Sequence, residues 1–202
     1  MDETPREPAM AWRFIRAYAV RIVIGTVLLV ELYVVTRLYA TYRREQRIAR
    51  KIESVGGRAS FLYSGPNWIP QSIRNRQPLF DRIQDVDLEE RPLPSDLLEE
   101  LGWLLNLVII NFNGTQITDS GLEHLKGLTS IEELSLGRTR VTDAGFEHLK
   151  QLTRLKQLNV TDTQVTDAGL EQLKGLTNLN LLCLSNTKIT DAGLEQDRKS
   201  VV

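Results

Sequence analysis

A single cysteine, Cys183, stands in 202 residues, so no intrachain disulfide is possible and cysteine usage does not reveal the redox compartment. Packing has to hold the fold. There are two histidines, His124 and His148. No Ser-His-Asp arrangement, phosphate loop or zinc spacing is present, which removes the usual catalytic and cofactor signatures, and no cofactor is expected. Net charge is also nearly absent, at −1, while 42% hydrophobic and 25% charged residues are ordinary for a chain that folds. The small total hides an asymmetry. Residues 1–52 carry ten Lys/Arg against five Asp/Glu, and residues 53–202 carry fifteen against twenty-one, so a basic head precedes an acidic body.

The head contains one long apolar run. From Phe14 to Ala40, twenty of twenty-seven residues are apolar, enough for a helix to cross a hydrocarbon core of about 30 Å. Glu31 interrupts the run at a cost of about 3 kcal/mol, against about −4 to −7 kcal/mol from the Val, Ile and Leu residues between 20 and 38. The span wins, and Arg21 and Arg37 near its ends can snorkel. A cleaved signal peptide fits less well, because Glu31 shortens the apolar core and no A-x-A-like site follows it. The expectation is a tail at 1–13 and an uncleaved single-pass transmembrane anchor at 14–40. Arg6, Arg13 and Arg16 precede the span, and Arg43, Arg44, Arg47, Arg50 and Lys51 follow it. The positive-inside rule therefore leans the body towards the cytoplasm. Few aromatics interleave this basic cluster, so lipid headgroups suit it and nucleic acid does not. Glu31 has only Val27 and Val35 four residues away, so pairing of the anchor with another helix through Gly25, Leu28 and Glu31 is expected. A shifted span that leaves Glu31 near an interface is the alternative.

Residues 41–82 read as a helix–strand cap and linker. Ile48, Ile52 and Val55 fall at helical spacing before Gly56-Gly57. RASFLY then alternates Ala59, Phe61 and Tyr63 as a strand would. With Trp68, this unit can cover the exposed end of a stacked array. Residues 66–80, with three prolines, read as irregular.

The body repeats itself. Thr-Asp pairs fall at 118–119, 142–143, 166–167 and 190–191, a period of 24 without slippage. IEELSLGRTRV at 131–141, LKQLNVTDTQV at 155–165 and LNLLCLSNTKI at 179–189 share an L-x-x-L-x-L core. Leu107, Ile110 and Phe112 belong to the same pattern, and stepping back 24 residues finds a degenerate copy, Ile83, Val86 and Leu88, with Leu98 and Leu101. Leu134 and Leu136 lie two apart and share one side of a short strand. Thr115, Thr139, Thr163 and Thr187 stand where a side chain can bond the turn leaving that strand. The Thr-Asp pair is expected to cap the next helix, making Asp119, Asp143, Asp167 and Asp191 capping residues. Leu122, Leu125 and Leu128 form that helix's inward stripe, and Gly127 and Gly175 mark its end, with Gln151 in the middle copy. No single copy buries enough apolar surface to order itself, so each requires its neighbour.

The pattern L-x-x-L-x-L-x-x-T-x-[VI]-T-D-x-G-L-x-x-L resembles the T-D-x-G-L class of leucine-rich repeats. It is close to the cysteine-containing subtype found in F-box substrate receptors and abundant in uncharacterised bacterial proteins. It covers 83–196, with Thr in place of Cys at the turn and no F-box-like segment. An anchor followed by RREQRIARKIESVGG and then repeats resembles bacterial membrane-anchored members. The resemblance implies protein–protein interaction and an α/β fold: a right-handed leucine-rich-repeat solenoid of about five 24-residue repeats, a helix–strand N-terminal cap and one N-terminal transmembrane helix.

Candidate chemistry is sparse. His124 and His148 lie one repeat apart and could offer two metal ligands, but Gln172 and Gln196 hold the same site in later copies, so no metal site is expected. Binding is better placed on the concave face. By register it carries Asp85 and Asp87, Ile109 and Asn111, Glu133 and Ser135, Gln157 and Asn159, then Leu181 and Cys183, with Arg138 nearby. This face is acidic, then polar, then apolar, which suits a protein partner and not a polyanion. Residues 197–202 carry no repeat pattern, so the strand around Leu182–Leu184 is expected as an open edge that could self-associate or receive a partner. The expected function is a non-enzymatic, membrane-anchored interaction module. A truncated or vestigial protein without a ligand is the alternative, and a metal-dependent enzyme using His124 and His148 is a more distant one.

Overall fold

The structure is a computed structural model that describes residues 8–66 and 81–194, with side chains placed from residue 23 onward. Trp68, the rest of 67–80, the first residues of the N-terminal tail and the segment 195–202 lie outside the described residues. The chain divides into two units, Met1–Thr41 and Tyr42–Val202.

Helix α1 runs from Pro8 to Ser54 without a break, so the apolar run and the helix expected after it form one element. In the first unit the apolar side chains from Val23 to Val35 stand exposed. The described part of the helix, Val23–Ser54, is long and apolar enough to cross a membrane. Thr26 and Thr36 donate their hydroxyls to the carbonyls of Val23 and Tyr33 at 2.8 Å, so neither needs water. Arg37 donates to the Tyr33 hydroxyl at 2.9 Å and lies 5.4 Å from its ring centre.

The second unit is built on a six-stranded sheet in sequence order. Strand β1 (Arg58–Tyr63) pairs antiparallel with β2 (Asp81–Asp87). Strands β3 (Ile109–Asn111), β4 (Glu133–Ser135), β5 (Gln157–Asn159) and β6 (Leu181–Cys183) follow in parallel. Each parallel step is 24 residues: Asp85 faces Ile109, which faces Glu133, then Gln157, then Leu181. Between the strands lie helices α2 (Ser95–Leu101), α3 (Asp119–Leu122), α4 (Asp143–Phe146) and α5 (Asp167–Leu173). A 3₁₀ turn extends α3 to Leu125 and α4 to Leu149.

The core follows the repeat. Ile83, Val86, Leu88, Leu98 and Leu101 of the degenerate copy are buried, as are Leu107, Ile110 and Phe112, and Leu122, Leu125 and Leu128. Thr115, Thr139, Thr163 and Thr187 donate their hydroxyls to Phe112, Leu136, Val160 and Leu184 carbonyls at 2.6–2.8 Å, closing each turn as the sequence suggests. At the other end of the stack, Ile48, Ala49 and Ile52 of α1 join the same core, with Val55 and Ala59 packed against it. The alternation in β1 fails, however. Ala59 and Tyr63 are half-buried, but Phe61 and Leu62 are exposed beside a register shift between Ser60 and Phe61, so the helix supplies most of the cover expected of the aromatic strand.

The aspartates overturn the expectation of simple capping. Asp119, Asp143 and Asp167 open their helices instead of preceding them, and the preceding threonine is the N-cap. Each carboxylate reaches into the following copy. Asp119 accepts from Thr142 N–H at 2.8 Å and from its hydroxyl at 2.7 Å, and Asp143 does the same with Thr166 at 2.8 and 2.6 Å. Asp167 repeats the pattern with Thr190 at 2.8 and 2.7 Å. The threonine hydroxyl that donates to the earlier aspartate also accepts from its own helix, from Ala144 N–H at 3.4 Å and Ala168 N–H at 3.2 Å.

This clamp explains the glycine in T-D-x-G-L. A Cβ built on Gly145 or Gly169 would lie 2.5 Å from Oδ1 of Asp119 or Asp143, and Gly193 is equally crowded by Asp167. By contrast, a Cβ at Gly127 or Gly175 meets nothing within 4 Å, which is why Gln151 is accepted at their position. Those two glycines do not act as required helix stops.

Two outcomes follow for stability. Gly169→Ala forces the Asp143 carboxylate or Val165 aside and lowers unfolding stability by about 1–3 kcal/mol, the usual range for overpacking. Gly175→Ala is neutral or stabilising by up to about 1 kcal/mol through the unfolded chain. Urea unfolding of the two variants in the same detergent separates them. The second outcome concerns acid. Thr190's backbone and hydroxyl bonds hold the Asp167 carboxyl below its ordinary value. A depressed carboxylate contributes stability above its unfolded pKa of about 3.9 and loses it as pH falls through the folded value. Wild-type urea midpoints therefore drop below about pH 4. Asp167→Asn keeps an acceptor for Thr190 N–H but cannot titrate, so its drop is smaller; an equal drop removes the clamp's role.

Candidate functional site

The parallel register brings the sequence-selected residues together in two columns. Asp85, Ile109, Glu133, Gln157 and Leu181 form one, and Asp87, Asn111, Ser135, Asn159 and Cys183 form the other. Between them the inward residues Val86, Ile110, Leu134 and Leu158 are buried, because adjacent strand positions face opposite sides. Leu182 at the edge is only partly buried.

The columns differ in what their side chains already do. In the second column, Asp87 Oδ1 accepts from Glu89 N–H and from the Asn111 amide, both at 3.1 Å. Asn111 and Asn159 accept from the backbone N–H two residues later, at 3.1 and 3.0 Å. These three residues shape the turns that leave their strands, a role the sequence reading did not assign. The cue was an Asx residue two before a turn amide. In the first column the Gln157 amide donates to Glu133 at 3.3 Å. A shallow cavity of about 200 Å³ is lined by Glu133, Ser135, Gln157, Asn159, Leu181 and Cys183 among others. Cys183, expected to face solvent, is half-buried there as a free thiol.

Arg138 sits differently. It lies in the turn after β4 with φ of 56°, a left-handed conformation shared in 24-residue steps with Glu90, Gly114, Asp162 and Asn186. Its guanidinium bonds Glu90 at 2.8 Å and Glu89 at 3.4 Å across Gly114. The pair passes over that glycine because a Cβ there would press on Glu90. Arg138 is therefore a rim residue already matched to two carboxylates. Beside the first column, Glu132 receives Arg154 and Lys156 at 2.7 and 2.6 Å, and these bonds hold its carboxyl below the ordinary range.

His124 and His148 lie in the 3₁₀ turns of α3 and α4, away from the columns. Among the described residues, no three His, Cys, Asp or Glu side chains converge as a metal cluster.

Residues 151–174 match the family model described as Leucine Rich repeat. The match spans one 24-residue unit, from Gln151 through β5 to the end of α5. Among solved structures, the chain is similar to an internalin from Listeria monocytogenes, at 30% identity and TM-score 0.45, over 52% of this chain and 28% of that one. An internalin C2 from the same organism matches at 31% identity and TM-score 0.41, over 46% and 38%. The ectodomain of the receptor kinase SOBIR1 from Arabidopsis thaliana matches at 13% identity and TM-score 0.45, over 72% and 93%. The chain thus spans under two fifths of either internalin's length. No curated protein matches it.

Proposed function

We propose that the protein is a membrane-anchored, non-catalytic interaction module of about five leucine-rich repeats, which binds a protein partner through the face built on Asp85, Ile109, Glu133, Gln157 and Leu181. One observation carries this reading. These five residues are held in register on one sheet face, four of them half-buried and Leu181 exposed, and the turns make no use of their side chains. Curved repeat faces commonly serve as binding surfaces. The chemistry runs from carboxylate through amide to leucine, so it selects a partner that offers basic groups at one end and apolar groups at the other. Ser135 and Cys183 extend it, while Asp87, Asn111 and Asn159 fix its backbone.

A non-catalytic role agrees with where the shifted titrating groups lie. Glu45, Lys51, Asp96, Glu123, Glu132 and Asp167 are each accounted for by burial or a structural partner. The exposed apolar stretch of α1 supports anchoring, and the basic excess after it supports a cytoplasmic body. Kinship with bacterial anchored members, and pairing of the anchor through Glu31, belong to the same reading.

A full-length chain with a photocrosslinking residue at Ile109 captures a saturable membrane partner, and the same residue at exposed Lys174→X on the helical side does not. Glu133→Arg weakens that capture about tenfold, equal to about 1.4 kcal/mol. Capture that is equal from both sides, or indifferent to Glu133→Arg, sinks the reading.

A further inference from the structure

Repeats make exceptions visible. In the turn that follows α2, Trp103 and Leu105 are 63% and 64% exposed. The same positions in later copies hold Gly127, Gln151 and Gly175 for the tryptophan, and Thr129, Thr153 and Thr177 for the leucine. Two large apolar side chains are thus displayed in one copy, where the others carry small or polar residues. Core packing does not require them, because Leu104 between them supplies the buried contact, as Leu128 and Leu152 do later.

Their neighbours are cationic. The Arg44 guanidinium lies 5.6 Å from the Trp103 ring centre, a cation–π contact. Arg43, Arg47 and Arg50 are exposed on α1 opposite its buried residues Glu45, Ile48, Ala49 and Ile52. Nearby acids are partly matched: Lys51 takes Asp96 and Glu100 at 2.6 and 3.0 Å, and Lys126 takes Glu123 at 3.0 Å.

In sequence, Arg44 comes four residues after Ala40, where the apolar run ends. The headgroup layer on each side of a bilayer is about 5–8 Å thick. Trp is favoured at that depth, with an apolar body and a polar N–H, and basic side chains gain about 1 kcal/mol each from an anionic surface.

We propose that Trp103 and Leu105, backed by Arg43, Arg44, Arg47 and Arg50, form a membrane-interface contact that seats the first repeat in the headgroup layer of an anionic bilayer. The contact holds the repeat unit close to the lipid surface and is separate from the binding face. It rests on the reading of residues 14–40 as the anchor.

The test uses the full chain in a Cys183→Ser background, reconstituted in phosphatidylcholine vesicles with and without phosphatidylserine. An environment-sensitive fluorophore is placed at Leu105→Cys, at Thr153→Cys as the equivalent site two copies on, or at Leu29→Cys within the anchor. Lipids carrying a headgroup-level nitroxide are expected to quench the Leu105 label about twofold in anionic vesicles and to leave the Thr153 label unchanged. Adding Arg43→Glu and Arg47→Glu is expected to remove most of that quenching. A Leu105 label no more quenched than the Thr153 label overturns the contact, and quenching that ignores both lipid charge and charge reversal overturns the role of the arginines. The Leu29 label reports the anchor alone, so failure of the anchor and failure of the contact are read apart.

Discussion

The carboxylate that reaches from one copy into the next is the constraint on which the rest of the second unit depends. Asp119, Asp143 and Asp167 each take two donors from the threonine 23 residues ahead, and that threonine's hydroxyl in turn caps its own helix. A carboxylate with two such donors is fixed in both position and direction. The spacing of the copies cannot then drift. An inserted residue between Asp143 and Thr166 would have to be absorbed outside the clamp, and a side chain at Gly169 would collide with it. The parallel register of the strands and the glycine of every later copy are two results of one geometry.

The first copy shows what happens where the clamp is missing. Pro94 and Ser95 stand where later copies have Thr-Asp, and Pro94 makes no side-chain cap bond. Other contacts take its place. Lys51 of α1 holds Asp96 and Glu100, and Glu45 accepts from Ile83 N–H at 2.9 Å with Arg82 3.6 Å away. Burial raises the Glu45 carboxyl above its ordinary value, outweighing the bond from Ile83 and the charge of Arg82. Such a group adds least once it is ionised, the opposite sense to Asp167. Strand β1 covers the remaining flank by pairing with β2, so on this side the sheet's edge is the antiparallel β1 and not the first repeat strand.

What the sequence made legible was whatever repeats within one copy. The 24-residue period, the buried leucines and the threonine bonds to strand carbonyls all follow from local spacing, because a short offset fixes which side chains share a face. The two columns of the candidate face were legible for the same reason. What escaped was each interaction whose partner lies a full copy away. Asp143 beside Thr166 in space is 23 residues from it in sequence, and before the fold is known a Thr-Asp pair reads as an ordinary cap. Nothing in a strand pattern says that the side chains of Asn111 and Asn159 bend back to the turn, so by sequence they stand among the residues open to a partner. The exposure of Phe61 escaped because the irregularity beside it, where Ser60 pairs with Asp85 and Phe61 with Ile83, leaves Gln84 of β2 as the extra residue, and an alternating pattern in β1 carries no sign of it.

A regular array also changes where function should be sought. A residue that recurs at every copy, such as the clamp aspartate or its glycine, has a sufficient explanation in stacking. A residue that breaks the pattern does not. Glu133, Gln157 and Leu181 occupy one structural position with three chemistries, and the strand tolerates all of them because that position faces away from the core. Trp103 and Leu105 break the pattern more sharply, since exposing two large apolar groups has a solvation cost that Gly127 and Thr129 avoid. Neither departure is required by the fold. In the two proposals, a surface outside the chain, a protein on one side and a lipid headgroup layer on the other, supplies the contact that folding does not.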